Sequence, residues 1–192
     1  MGCDIHGMLE VADYSWEFAR DGNKQYGWHS LGEFEPCGRN YQVFGVIGNV
    51  RNYADIPFIA EQRLCNLPED SYDMMSVQFE AWIKDWEGDA HSASYVTLAE
   101  MKAYNTGVTF QCNRLITSRG DDGKITSTCG DTNGEHMSKV GEVRIFEEFD
   151  GGTERWLRII DSMEKRKAMI EAEWDGYELA DDEVRWVFFF DN

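Results

Sequence analysis

The chain has 192 residues, with 36 acidic and 18 basic side chains, a net charge of −18, 42% hydrophobic residues and 14% aromatics. That charge argues against nucleic-acid binding through a basic face, because such a surface repels phosphate backbones. The apolar residues run along the whole chain, which excludes a disordered acidic tail and predicts one domain, 1–192, with an aromatic-rich core.

Three meanings of the charge stay open: solubility in a salty cytoplasm, a surface that attracts cations, or an acidic decoy for a basic partner. The cysteines are Cys3, Cys37, Cys65, Cys112 and Cys129. Their number is odd and there is no C-x-x-C, so reduced thiols in a cytoplasm are expected. The N-terminus lacks the basic and apolar regions of a signal peptide. No run of about 18 apolar residues suggests a membrane span. Met-Gly at the start does not make a myristoylation site, since His6 stands where Ser or Thr is needed.

The first predicted strand covers 3–18. Side chains alternate faces along a strand, so Cys3, Ile5, Leu9 and Val11 share one face, and Asp4 and His6 the other. Asp21-Gly22-Asn23 reads as a turn and 26–34 as the returning strand of a hairpin. Tyr41, Phe44, Ile47 and then Val50 or Arg51 recur at helical spacing, with Asn40 as N-cap. Gly45 and Gly48 weaken that helix and leave room for close approach. Residues 54–70 read as loop. A helix capped by Asp70 or Ser71 then carries an apolar stripe of Met75, Phe79, Trp82, Ile83 and Trp86.

Residues 88–94 read as a polar loop, followed by a short helix behind the capping box Thr97-Leu-Ala-Glu100. A hairpin is expected over 108–129, within a flexible insertion around 106–141, and 129–141 suits a lid. Val143 to Phe149 suits a strand or a helix start. Thr153 opens a long helix to about Trp174, with Trp156, Ile159, Ile160, Met163, Ala168, Met169 and either Ala172 or Glu173 toward the buried side. Val184 to Asp191 is almost continuously apolar, as in a strand covered on both faces. Terminal strands often pair centrally, which would bring Asp191 near Asp4 and His6. The fold expected is α+β: a mixed or antiparallel sheet, N- and C-terminal strands central, packed by three or four helices.

The common nucleotide-binding loops, the hydrolase elbow G-x-S-x-G and the zinc motif H-E-x-x-H are absent. The chemistry-bearing pattern is D-x-H, found at Asp4-Ile5-His6 and again at Asp89-Ala90-His91. Carboxylate and imidazole suit a divalent metal such as zinc, manganese or iron. If the two pairs converge, Asp4, His6, Asp89 and His91 form a metal and catalytic cluster that activates water. Without metal, a carboxylate-held His is a general base. Two chance local pairs, with the Asp89-His91 loop merely capping the next helix, also explain the motif, which is only two residues long. Gly38-Arg39-Asn40-Tyr41 at a helix start suits an anion, or else only a cap and a surface ion pair. His91-Ser92-Ala93-Ser94 sets hydroxyls beside an imidazole, so Ser92 and Ser94 join Arg39, Asn40 and Tyr41 as ligand-binding candidates. His29 and His136 read as surface or loop residues.

The opening Met-Gly-Cys-Asp-Ile-His resembles a group of uncharacterised proteins of tailed bacteriophages and prophages. They share a G-R-N-Y segment, here at 38–41, a D-x-H-S-x-S segment, here at 89–94, and an ending like that at 184–192. The resemblance implies a bacterial cytoplasm and lends no catalytic role.

Two functions are therefore expected. One is a metal-assisted hydrolase, or binder, of a phosphate-bearing small molecule or nucleotide. The other is an acidic interaction protein, a nucleic-acid mimic or inhibitor of a host nuclease or defence complex, with a basic host protein as partner. Neither involves a membrane.

Overall fold

The computed structural model describes residues 2–20, 23–52, 57–59, 67–68, 70, 73–85, 88–104, 110–119, 125–131, 143–149, 153–174 and 177–191, with the backbone alone at 14–20, 23–26, 73, 83, 153–154 and the described parts of 110–149. The strands are β1 (Asp4–Arg20), β2 (Asn23–Glu33), β3 (His91–Thr97), β4 (Phe110–Arg119), β5 (Ile125–Asp131), β6 (Val143–Phe149) and β7 (Val184–Asp191). The helices are α1 (Tyr41–Gly48), α2 (Asp73–Asp85), α3 (Leu98–Ala103) and α4 (Thr153–Glu173).

The fold is α+β, as expected. Its main sheet is antiparallel in the order β2-β1-β7-β3, with the N- and C-terminal strands at its centre. Ile5 pairs with Phe190, His6 with Phe189 and Asp4 with Asp191. Asp191 Oδ1 accepts the Asp4 backbone N–H at 3.0 Å, so the last strand does bring its terminal carboxylate to Asp4. A second sheet, β5-β4-β6, holds the expected hairpin. Val143–Phe149 is a strand in it. The proposed lid falls outside the described residues beyond Asp131.

The alternation of β1 sets two cores on the two faces of the sheet. Cys3, Ile5, Leu9 and Val11 join Phe188 and Phe190 of β7, together with α1, α3 and α4. Met8 joins Val187 and Phe189 beneath α2. Residues 184–190 are buried throughout, which is why β7 reads as a continuous apolar run. Burying each Phe contributes about 1.5–3 kcal/mol. Burial also pushes the Cys3 thiol above its ordinary value and that of Cys37 up to about 12, which marks both as packing groups rather than nucleophiles.

Asn40 caps α1, its side chain accepting the Val43 N–H at 3.0 Å. Gly48 lies against Phe190: a Cβ there would meet the ring at 2.8 Å. The capping box at α3 is formed, with Glu100 N–H donating to Thr97 Oγ1 at 3.1 Å and Thr97 N–H to Glu100 Oε2 at 2.8 Å.

Two expectations change. His91 to Ser94 is not loop but the start of edge strand β3, paired to β7 with a bulge between His91 and Ser94. Ser92 sits there in the left-handed region, φ 52°. On α4 the buried line is Trp156, Ile159 and Met163, with Ile170 packed beside it. Ala168, Met169 and Ala172 fall outside that stripe and are exposed, Met169 by 70%. On α2, Met75, Phe79 and Trp82 pack as expected. The described helix runs Asp73–Asp85, and the Ser71 alternative for its cap lies outside the described residues.

Asp181 ties three elements together. Its carboxylate accepts from Lys102 of α3 and Lys167 of α4, each at 2.8 Å, just ahead of β7. The hydrogen bonds from Lys102 and Lys167 hold its carboxyl below the ordinary 3.8. A lowered folded-state pKa adds stability that is complete above the unfolded value and disappears as pH falls through the folded one. Asp181→Asn should therefore cost about 0.5–1 kcal/mol near neutrality. The gap from the parent should close between about pH 5 and pH 2. Urea midpoints across that range check this; a gap constant with pH would show that the ion pairs contribute nothing.

Candidate functional site

The polar groups named from the sequence fall into two separate places. The first surrounds the start of β1. Arg39 makes a two-pronged contact with Asp4, Nε to Oδ1 and Nη2 to Oδ2, both at 2.5 Å. Hydrogen bonding from Arg39 holds the Asp4 carboxyl below its usual range. Tyr41 turns its hydroxyl to the Cys3 backbone N–H at 3.3 Å, and its ring sits 5.9 Å from the Arg51 guanidinium. The G-R-N-Y segment thus docks on the first strand. Asp4 thus takes two of the five N–H groups of the Arg39 guanidinium.

His6 lies beside this pair. Its Nδ1 is 3.0 Å from Glu35 Oε1 and its Nε2 is 3.9 Å from Asp191 Oδ1. Its ring packs on Trp82 of α2 at 4.2 Å and on Phe189 at 5.4 Å. The Nε2 atom is shielded from solvent and makes no hydrogen bond among the described residues. An imidazole between two carboxylates can move a proton from one to the other, but here the nitrogen facing Asp191 is closed to an outside substrate.

The second place is the bulge of β3. His91 pairs with Phe190 and stacks on its ring at 6.0 Å, while His6 pairs with and packs on Phe189. Neighbouring residues of β7 point to opposite faces. His6 and His91 are therefore on opposite faces of the sheet, and β7 runs between their strands. The expected meeting of the two D-x-H pairs is thus not made through their histidines, since the sheet stands between His6 and His91. Asp89 is exposed at the entry to β3. Among the described residues, no group of three or more His, Cys, Asp or Glu side chains is placed to hold a metal ion. His91 Nδ1 does hydrogen-bond Ser92 Oγ at 3.0 Å. Ser94 is fully buried, and its hydroxyl finds no partner among the described residues.

One polar network was not anticipated. Glu10 and Arg185 pair across β1 and β7, 0% and 3% exposed. Arg185 Nε and Nη2 each reach Glu10 Oε2 at 2.8 Å, and Nη1 donates to Asp70 Oδ1 at 3.0 Å. The guanidinium lies 3.7 Å over the Trp28 ring, whose Nε1–H donates to Asp70 Oδ2 at 2.8 Å. The signal was an arginine inside an apolar run, which demands a buried carboxylate on a neighbouring strand.

Comparison with family models, curated proteins and solved structures gave no match to this chain. Among the described residues no helix is long and apolar enough to cross a membrane.

Proposed function

We propose that the chain is an acidic binding protein whose partner is a basic protein, in keeping with the phage-like opening Met-Gly-Cys-Asp-Ile-His and hence with a partner in the bacterial cytoplasm. The supporting observation is how the charges are used. Arg39, Lys102, Lys165, Lys167 and Arg185 are each consumed in an internal ion pair. Glu33, Glu80, Asp85, Asp89, Glu173 and Asp182 are exposed and make no ion pair among the described residues. The excess negative charge is thus turned outward, where it steers a positive partner.

The experiment is retention of proteins from a bacterial lysate on the immobilised chain. A basic protein should be held at about 0.1 M salt and released toward about 1 M, as the screening length falls from about 10 Å to about 3 Å. Retention should survive His6→Ala and His91→Ala. If no basic protein is held at low salt, the proposal fails.

A second reading, hydrolysis, rests on the hydrogen bond between His91 and Ser92 and on the left-handed backbone at Ser92. A fluorophosphonate should then label Ser92, and His91→Ala should abolish the labelling. An unlabelled Ser92 removes this reading. Capture of a phosphate-bearing ligand or a divalent metal has less support, because Asp4 takes one edge of Arg39 and His6 and His91 sit on opposite faces.

A further inference from the structure

Strand β2 forms one edge of the main sheet, and no strand lies beyond it among the described residues. That edge is set in a slot. On one face, Met8, Ser30 and Glu33 with Met74, Val77, Gln78 and Ala81 of α2 line an open groove of about 570 Å³. On the other face, His29 and Leu31 with Arg166, Met169 and Ile170 of α4 line another open groove of about 460 Å³. Ser30 borders both. The walls carry Met74, Val77 and Met169, exposed by 59%, 63% and 70%. These are three of the large apolar side chains left most open to water, and they converge on one strand.

An added strand sends alternate side chains to opposite faces of a sheet. At this edge each face offers an apolar groove, so both sets of side chains would be covered. Pairing is limited to 27–30. Beyond them the register shifts between Met8–Glu33 and Glu10–Ser30, and Gly32 takes φ 86°. Arg166 already occupies the Leu31 carbonyl at 3.2 Å, and the Gly32 N–H donates to Ser30 Oγ at 3.1 Å. The bulge therefore ends the docking edge. At the mouths of the grooves stand Glu33 and Glu173, both exposed, in a chain of net charge −18.

We infer that β2 receives an extended segment of a partner protein, about four to six residues long, with apolar side chains on both faces and Lys or Arg at its ends. This rests on the reading of the chain as a binder of basic protein, and it names the surface and the form of the ligand.

The probe is a fluorescent nonapeptide with a Val-Leu-Val-Leu-Val centre and two lysines at each end, titrated into the full chain. Saturable binding is expected, with slowed amide exchange within 27–30. Val77→Asp and Met169→Asp should each weaken it by about tenfold or more, and both sites are exposed enough to leave folding intact. Leu157→Asp, on α4 at a 56% exposed site outside both grooves, should leave it unchanged. Proline at the peptide's central position removes a strand N–H and should abolish binding.

The inference is overturned if the peptide does not bind, if the proline peptide binds equally well, or if Leu157→Asp weakens binding as much as the groove variants do. It is also overturned if the edge is closed by a second copy of the chain, seen as a dimer that Val77→Asp dissolves. If a lysate protein held by the parent is held equally by Val77→Asp/Met169→Asp, this surface is wrong and the binding function stands. If the parent holds none, the function itself is wrong.

Discussion

Arg185→Met should destabilise the fold by about 3–5 kcal/mol, as expected when one member of a buried ion pair is removed. Glu10 is fully buried opposite Arg185, and two guanidinium nitrogens reach its Oε2 at 2.8 Å. The substitution leaves the carboxylate in a site built for that guanidinium and leaves Trp28 without the cation on its ring. The loss should come from Glu10, not from the volume of the arginine. Adding Glu10→Met to Arg185→Met should therefore restore most of the stability, since an apolar pair of similar size often matches a buried ion pair. Urea denaturation of the parent, both single variants and the double variant measures this as a coupling of several kcal/mol. If Arg185→Met costs under about 1 kcal/mol, the network contributes little to the fold.

What the sequence made legible follows from what each pattern constrains. The strict alternation at Cys3, Ile5, Leu9 and Val11 determines a face, and those residues do share the larger core. The apolar run to Asp191 implies a strand buried on both sides, so a central place for β7 and the meeting of Asp191 with Asp4 were both within reach. The D-x-H pattern is weaker. It specifies spacing along a strand but not the face a strand presents to its neighbours. That is decided by register, which aligns His6 with Phe189 and His91 with Phe190. Strand β3 was hidden because Ser92, Ala93 and Ser94 have little strand character of their own. Its pairing to β7 supplies the structure, and the bulge at Ser92 breaks the alternation a reader would look for. Met169 was placed inside because it neighbours the stripe. A helical step of about 100° carries it out, and the chain gains an apolar wall at β2.

Phe190→Ala should cost about 3–5 kcal/mol, the range for removing a buried aromatic ring. The ring is fully buried, edge-on to Phe44 at 5.0 Å and to Phe188 at 5.5 Å, and beneath His91 at 6.0 Å. It is also the reason for Gly48. A Cβ at Gly48 would lie 2.8 and 3.2 Å from two atoms of this ring, so Gly48→Ala in the parent should cost about 1–3 kcal/mol through overpacking. With the ring gone, the nearest remaining contact is Phe188 at 3.4 Å, which a small shift relieves. Alanine then recovers a helix preference of up to about 1 kcal/mol over glycine at the end of α1. The sign of Gly48→Ala should therefore reverse, from destabilising in the parent to neutral or stabilising in the Phe190→Ala background. Thermal or urea unfolding of the four proteins in this cycle gives the coupling directly. If Gly48→Ala costs the same in both backgrounds, Phe190 is not what keeps position 48 a glycine, and the close approach of α1 to β7 has another cause.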